Sequence, residues 1–541
     1  MNFLKTITVF TVLSSIGISP LAAYSQENFK GIVSSASPEA TNAGIQVLKK
    51  GGNAIDAAVA ISLALGVSEP AGSGIAGQTV MLIQPKDGEP FVIHGTTWSP
   101  ANIPDNVTKS QLAKGRTAST VPSTLKVLSL AHQKFGSGEI DWSTLVLPAI
   151  ELAKNGVEIG PFRQRAFRFY GDDLKKQTEA NNIFIKVNGT NYQVGEVLKQ
   201  PILANTLQRL AKDGAEDFYS GKIAQEIAKD MRENGGWITA DDLKNFPEPR
   251  IIKALSSTYR GHEVVTLPPP FGGWVVLQIL NSLEQSNIES INQDDSNRRL
   301  ALLNAMRIGH SSRKYTPVSS FTDYNQDISQ KISKEEAKRL VEQYKKQTGG
   351  ETTHFSVVDN QGNVVAVTQS IDSYFGSKTV HPTLGFLYNN YMQSFRLEDD
   401  GTPFVLKARE MPLSSMSATI VKKGDQPVLV LGSPGSARII SAVAQVSSYW
   451  IDVNPSIAKA VDAYRVHLVP DDKAYIEGPV IENSLLIGMG NYGLSLYRPA
   501  YGVSDSQYDP YFGGVHALAF ENGKWTGAAD PRRDGAVGIA N

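Results

Sequence analysis

Apolar positions recur along the chain with two periods, and the balance between them shifts near residue 350. From Pro38 to Lys50, Ala43, Ile45, Val47 and Leu48 fall at helical spacing, and Gly51-Gly52 stops the run. Asn53 then reads as the cap of a second helix, Ala54 to Val67, which is apolar on every side except at Asp56 and is therefore a core helix. Gly31 to Ala36 reads as a short strand ahead of both. The glycine-rich stretch Glu69 to Gly77 leads into a strand, Thr79 to Ile83, with Phe91 to His94 as its hairpin partner. It lacks the Lys-Ser/Thr ending of a phosphate loop and no helix follows it, so it is read as a tight turn and not a nucleotide site. Helical spacing dominates from 120 to 250, as in Ser123–Lys134, Ser143–Lys154, Ile202–Lys212 and Lys222–Asn234. The rigid-then-flexible Pro268-Pro269-Pro270-Phe271-Gly272-Gly273 leads into a helix, Trp274–Glu284. Helices Asn297–Ser311 and Lys334–Thr348 follow, the second capped by Ser333, with the polar Thr316–Ser329 between them read as a surface loop.

Beyond Gly350 the period shortens. Thr353–Val358 and Asn363–Ser370 are β-rich runs separated by Asp359-Asn360-Gln361-Gly362, which predicts a hairpin. Gly385–Tyr388, Ala418–Val421 and Val428–Leu431 add strands; Ser436–Ile451 and Pro455–Tyr464 add helices. Strands inside and helices outside predict a layered α/β architecture.

Composition narrows the picture. With 541 residues, 41% hydrophobic and 19% charged, the chain can bury a large core. A net charge of −1 gives no electrostatic ground for a nucleic-acid or anionic-membrane partner. The absence of cysteine excludes disulfides, zinc-thiolate sites and thiol nucleophiles. No His/Asp/Glu set has metal-ligand spacing, so neither metal nor cofactor is expected. Lys5, the apolar Ile7–Leu21 and the small-x-small Ala23-Tyr24-Ser25 before Gln26 read as a secretory signal peptide over residues 1–25 rather than a lone membrane anchor. No later run is both long and charge-free enough to span a bilayer, which predicts a periplasmic or secreted mature protein.

The chemistry concentrates in Gly349-Gly350-Glu351-Thr352-Thr353-His354. If the Glu351–Thr352 bond is cut, Thr352 gains a free α-amine with a pKa of roughly 8, which can take the proton of its own hydroxyl. The same hydroxyl can make that cut by attacking the Glu351 carbonyl. At a distance, Pro412 to Ser417 clusters hydroxyls on a loop. Gly432-Ser433-Pro434-Gly435-Ser436 is a turn opening a helix, whose amides can hold an oxyanion.

With Leu48-Lys49-Lys50-Gly51-Gly52-Asn53-Ala54-Ile55-Asp56-Ala57-Ala58, Pro268-Pro269-Pro270 with Gly272-Gly273, Thr352 to Asp359 and Asp530-Pro531-Arg532, these motifs resemble the γ-glutamyltranspeptidase family of N-terminal-nucleophile hydrolases over nearly the whole mature chain. The resemblance implies a four-layer αββα sandwich made as a self-cleaving precursor. Its large subunit would be residues 26–351 and its small subunit 352–541. It implies Thr352 as nucleophile and Ser370 as its hydroxyl partner. Gly435 and Ser436 stand where the family has two oxyanion-hole glycines. Ser414 and Ser415 match the pair that holds the substrate carboxylate. The rest of the glutamate clamp departs from the family: Thr96 stands for its arginine, Asp372 for an asparagine, Tyr391 for Gln or Glu, and Ser394 for its aspartate. Unpaired charges in a closed pocket are costly, so these changes imply an altered acyl group, with Asp372 as a new cation anchor and Tyr391 lining the pocket. The expected activity is hydrolysis of, or acyl transfer from, small-molecule amides or peptides through an acyl-Thr352. The alternatives are a true γ-glutamyl hydrolase/transferase with a rebuilt clamp, and a non-catalytic binding protein on the same scaffold. His354 reads as structural rather than as a general base. His94 reads equally as a strand-end cap or a neighbour of the clamp. Asp530 reads as a turn or subunit contact. No Gly-x-Ser-x-Gly elbow is present, which disfavours an internal serine nucleophile.

Overall fold

The computed structural model describes residues 28–315, 324–340, 352–399, 401, 403–469, 472–497, 499 and 508–541. The leader and Glu351 of the expected cut lie outside them. The strands that matter are β1 (Gly31–Ser35), β2 (Gln78–Gln84), β3 (Phe91–His94), β4 (Arg250–Lys253), β5 (Leu255–Tyr259), β6 (His262–Thr266), β7 (Thr353–Asp359), β8 (Val364–Ser370), β9 (Thr419–Lys423), β10 (Gln426–Gly432), β11 (His516–Glu521), β12 (Lys524–Ala529) and β13 (Ala536–Ala540). Among the described residues they form two antiparallel sheets, ordered β13-β1-β7-β8-β2-β3-β4 and β12-β11-β10-β9-β6-β5.

The strands read as nearly unbroken apolar runs because both faces of each sheet are covered. In β2 and β8, Val80, Leu82, Val364 and Ala366 meet Val265, Ile420, Val430 and Leu518 of the second sheet. The alternate residues Met81, Ile83, Val365 and Val367 face helices α1 (Pro38–Lys49) and α2 (Ala54–Ser68). Beyond the second sheet lie α3 (Gly273–Glu284), α4 (Asp295–Tyr315) and α5 (Ala437–Val453). The result is the expected αββα layering.

Local chemistry explains the elements. Ser37 caps α1 on the Ala40 amide, and Asn53 and Asp56 close a capping box on α2. The 353–370 hairpin forms as expected, with Thr353 opposite Gln369. Three readings need correction. Strands β4 to β6 escaped the periodicity. Gly385–Tyr388 is no strand: its backbone turns back onto Thr379 and His381, leaving only a bridge from Val380 to Leu387. Part of the expected 316–329 loop is a helix, Tyr324–Lys331. Ile328 anchors it in the core, and Gln278 Nε2 donates to its last carbonyl at 2.8 Å, so tertiary contacts rather than pattern hold it.

Candidate active site

Thr352 stands immediately before β7 and is buried. The β7–β8 register, carried one residue beyond the Thr353–Gln369 pair, sets Ser370 opposite it, with both side chains on the same face. Beneath them lies the turn after α2, which does more than join helix to strand. Ile371 and Phe375 donate amides to its Gly72 and Ala71 carbonyls, and a Cβ on Gly77 would overlap the Ser370 carbonyl. Thr353 Oγ1 bonds the buried Glu69 carboxylate at its start. A Cβ on Gly72 would come within 3.6 Å of the Thr352 carbonyl. Glycine is required at Gly77, where two backbones approach closely, whereas the space at Gly72 is that of an ordinary van der Waals contact.

Ser370, Asp372, Tyr391 and Ser394 form one hydrogen-bonded set. Ser370 Oγ accepts the Asp372 amide at 2.7 Å and also bonds the Tyr391 hydroxyl. Asp372 Oδ2 accepts Gln393 Nε2 at 2.6 Å, and Ser394 bonds the same carboxylate. Burial pushes the Asp372 carboxyl up to about 6, against the opposing pull of Gln393, nearby Lys378 and Ser394. Tyr391 is fully buried, and burial first, then the charge of Asp372, raises its phenol. Asn389 fixes the backbone here: its Oδ1 accepts the Thr120 and Tyr391 amides at 3.1 and 3.2 Å.

Gln78 links this set to the hydroxyl loop. It pairs with Ser370 across β2 and β8, accepts the Thr97 amide at 3.1 Å, and donates to Ser414 Oγ at 3.3 Å. Thr96, next to Thr97, is buried in the same neighbourhood. Ser415 faces the other way and accepts Arg313 Nη2 of α4 at 2.9 Å. Gln78, Glu69, Gln393 and Arg313 were not singled out from sequence. The signal available for the first two was an isolated polar residue at each end of an otherwise apolar glycine turn.

Gly435 and Ser436 form the turn between β10 and α5. Gly435 has φ +117°, and Gly513 Cα would lie 3.2 Å from an added Cβ. Ser436 adopts φ 62°, ψ −135°, a glycine-type conformation that costs a serine about 1–3 kcal/mol. Its side chain makes no capping bond to α5. The strand that leads into this turn packs against β7, with Gly432 lying against the His354 ring. His354 is a structural residue: its two ring nitrogens bond Thr368 and Ser356 at 2.9 and 3.2 Å, and burial holds its pKa well down. His94 behaves as a strand-end cap, packed 4.8 Å from the Phe271 ring, bonded to the Pro269 backbone and lowered to about 4 by burial. Asp530 is locked between Arg465 and Arg532 and also accepts the Val515 amide at 2.6 Å, which makes it a turn residue. Among the described residues no group of His, Asp and Glu could hold a metal ion, and no helix is long and apolar enough to cross a membrane.

The chain as a whole is similar to known proteins. The chain is 33% identical to a glutathione hydrolase proenzyme of Bacillus subtilis, over 94% of this chain and 91% of that one. It is 30% identical to the acylase ACY 1 proenzyme of a Pseudomonas species, over 94% and 93% of the two chains. Its fold superposes on a cephalosporin acylase from Bacillus halodurans with a TM-score of 0.83 at 25% identity, covering 94% of this chain and 96% of that one. The family profile described as gamma-glutamyltranspeptidase matches residues 40–540, and with relatives this similar over almost their full length the chain belongs to that family of amide hydrolases and acyltransferases.

Proposed function

We propose that the protein is an exported, self-cleaving N-terminal-threonine amidohydrolase or acyltransferase that works through an acyl-Thr352. The observation that carries this reading is the β7–β8 register, which, continued one residue past Thr353–Gln369, puts Ser370 opposite Thr352. In processing, Thr352 Oγ1 attacks the Glu351 carbonyl, the peptide nitrogen leaves as the α-amine of Thr352, and water hydrolyses the resulting ester. In turnover, that amine takes the hydroxyl proton as Oγ1 attacks the substrate amide and then passes it to the leaving nitrogen. The amides of Gly435 and Ser436 hold the oxyanion. Ser370 orients Oγ1, and its own orientation is supported by the Asp372 amide and the Tyr391 hydroxyl. Water or an acceptor amine releases the acyl group. Both hydrolase and acylase relatives fit this chemistry, and the changes at Thr96, Asp372, Tyr391 and Ser394 favour an acyl group other than that of plain glutathione.

Purified protein is expected to run as two pieces of roughly 35 and 20 kDa, at about 110 Da per residue. Thr352→Ala should remain one chain; efficient cutting in that variant would refute the mechanism.

A further inference from the structure

A cleft walled by aromatic rings and guanidinium groups borders the site. Arg165, Phe169 and Tyr170 come from one side of the helix Pro161–Lys175, and Tyr374, Arg438 and Tyr511 also line it. The Tyr170 and Tyr374 rings stack with centroids 4.8 Å apart. Lys378 braces the pair: its Nζ bonds the Tyr374 carbonyl and lies 4.9 Å from the centre of the Tyr170 ring. Arg438 sits 4.7 Å over the Tyr511 ring, and Phe169, beside Arg165, stays 43% exposed. The lining is also positive. Arg165 reaches the Asp509 carboxylate only at 3.8 Å, whereas Arg163 meets Glu39 and Arg116 meets Asp230 at 2.7 Å. Burial first, then the charges of Arg168 and Arg533, draws the Arg165 guanidinium down against the pull of Asp509 and Tyr374.

The walls grow out of the segments that carry the chemistry. Tyr374 is two residues beyond Asp372. Arg438 is two beyond Ser436, and its amide bonds the Gly435 carbonyl at 3.1 Å. Phe375, next to Tyr374, bonds the Ala71 carbonyl, beside the Gly72 that lies against Thr352. None of Thr96, Tyr391, Ser394 or Ser414, which stand on the acyl side, lines the cleft. That leaves it for the part of the substrate beyond the scissile amide. We infer that this cleft receives the amine half of the substrate and selects a planar aromatic amine bearing a carboxylate, with the ring among the aromatic walls and the acid on Arg165 and Arg438. The inference rests on the acyl-Thr352 reading and adds the leaving group to it.

Two leaving groups test it: 4-nitroaniline and 3-carboxy-4-nitroaniline, each as its γ-glutamyl, glutaryl and butyryl amide. The comparison is then made within whichever acyl group is turned over. For protein shown to have cut itself, kcat/KM should be at least about tenfold higher for the carboxylated anilide, chiefly through KM, as expected for hydrogen bonds to a charged group. Arg165→Met should bring that ratio toward one with little change for the plain anilide, and Arg165→Lys should restore part of it. A wild-type ratio near one, a ratio that survives in Arg165→Met, or an equal loss on both anilides in that variant would overturn the assignment. Should the variant fail to fold, 5-amino-2-nitrobenzoate must compete with the plain anilide in the wild type better than 4-nitroaniline does; equal competition overturns it. Absence of cutting or of any turnover counts against the acyl-enzyme reading instead. The cleft is then tested by calorimetric binding of the same two amines to the uncut protein, where no preference for the acid overturns it.

Discussion

Asp372 combines a backbone at φ +78° with a carboxyl raised to about 6, and both follow from where it sits. Its amide serves Ser370 while its side chain is enclosed with Gln393 and Ser394. A carboxyl raised above its usual 3.8 binds its proton more tightly in the folded state than in the unfolded one. Its ionisation therefore erodes stability as pH climbs from about 4 to about 6, and the cost is fully present above that. Asp372→Asn should abolish this slope in denaturant midpoints measured across that range. If ionised Asp372 anchors a substrate ammonium, kcat/KM for γ-glutamyl amides should also rise through pH about 6, and the variant should lose that limb. An unchanged acid limb in the variant would remove Asp372 from substrate binding. Ser436 shows the complementary case, a side chain tolerated where the backbone favours glycine while its amide still points from the head of α5.

At the scale of elements, the site depends on how closely β7 approaches β10. Gly432 lies on the His354 ring, and Ser356 Oγ donates to the His516 carbonyl at 3.2 Å, so the two sheets meet without spare volume. Gly432→Ala would drive a methyl into that ring. It should cost about 1–3 kcal/mol, as overpacking does, and slow self-cleavage by shifting Thr352 relative to the Gly435 turn. Wild-type cleavage kinetics in the variant would show that the turn is positioned by something else. The sequence made much of this arrangement legible. The capped pair α1 and α2, the β7–β8 hairpin and the α5 turn all carry strong local signals. Strands β4 to β6 do not: Arg250-Ile251-Ile252-Lys253 and the serines and threonine of β5 lack clean alternation, and pairing with β3 and β9 holds them. Gly385–Tyr388 misleads because its aromatic run is buried by packing rather than by a ladder.

For the whole molecule, the proposed cut falls between segments that share their sheets strand by strand. In the first sheet β13, β7 and β8 come from beyond residue 352, while β1, β2, β3 and β4 come from before it. β1 therefore lies between β13 and β7, and β8 is bonded along its length to β2. The second sheet repeats the pattern where β9 meets β6. Cutting one peptide bond breaks none of these ladders. Separating the pieces would strip backbone groups of their partners along four strand pairs and expose the apolar layer between the sheets. The two fragments should therefore elute together in native size-exclusion chromatography, at the volume of the uncut Thr352→Ala chain, and part only in denaturant. They should also unfold in a single coincident transition by fluorescence and circular dichroism, because neither fragment owns a complete core. A fragment that dissociates in native buffer and keeps its secondary structure would show that one half folds alone, which this strand order does not allow.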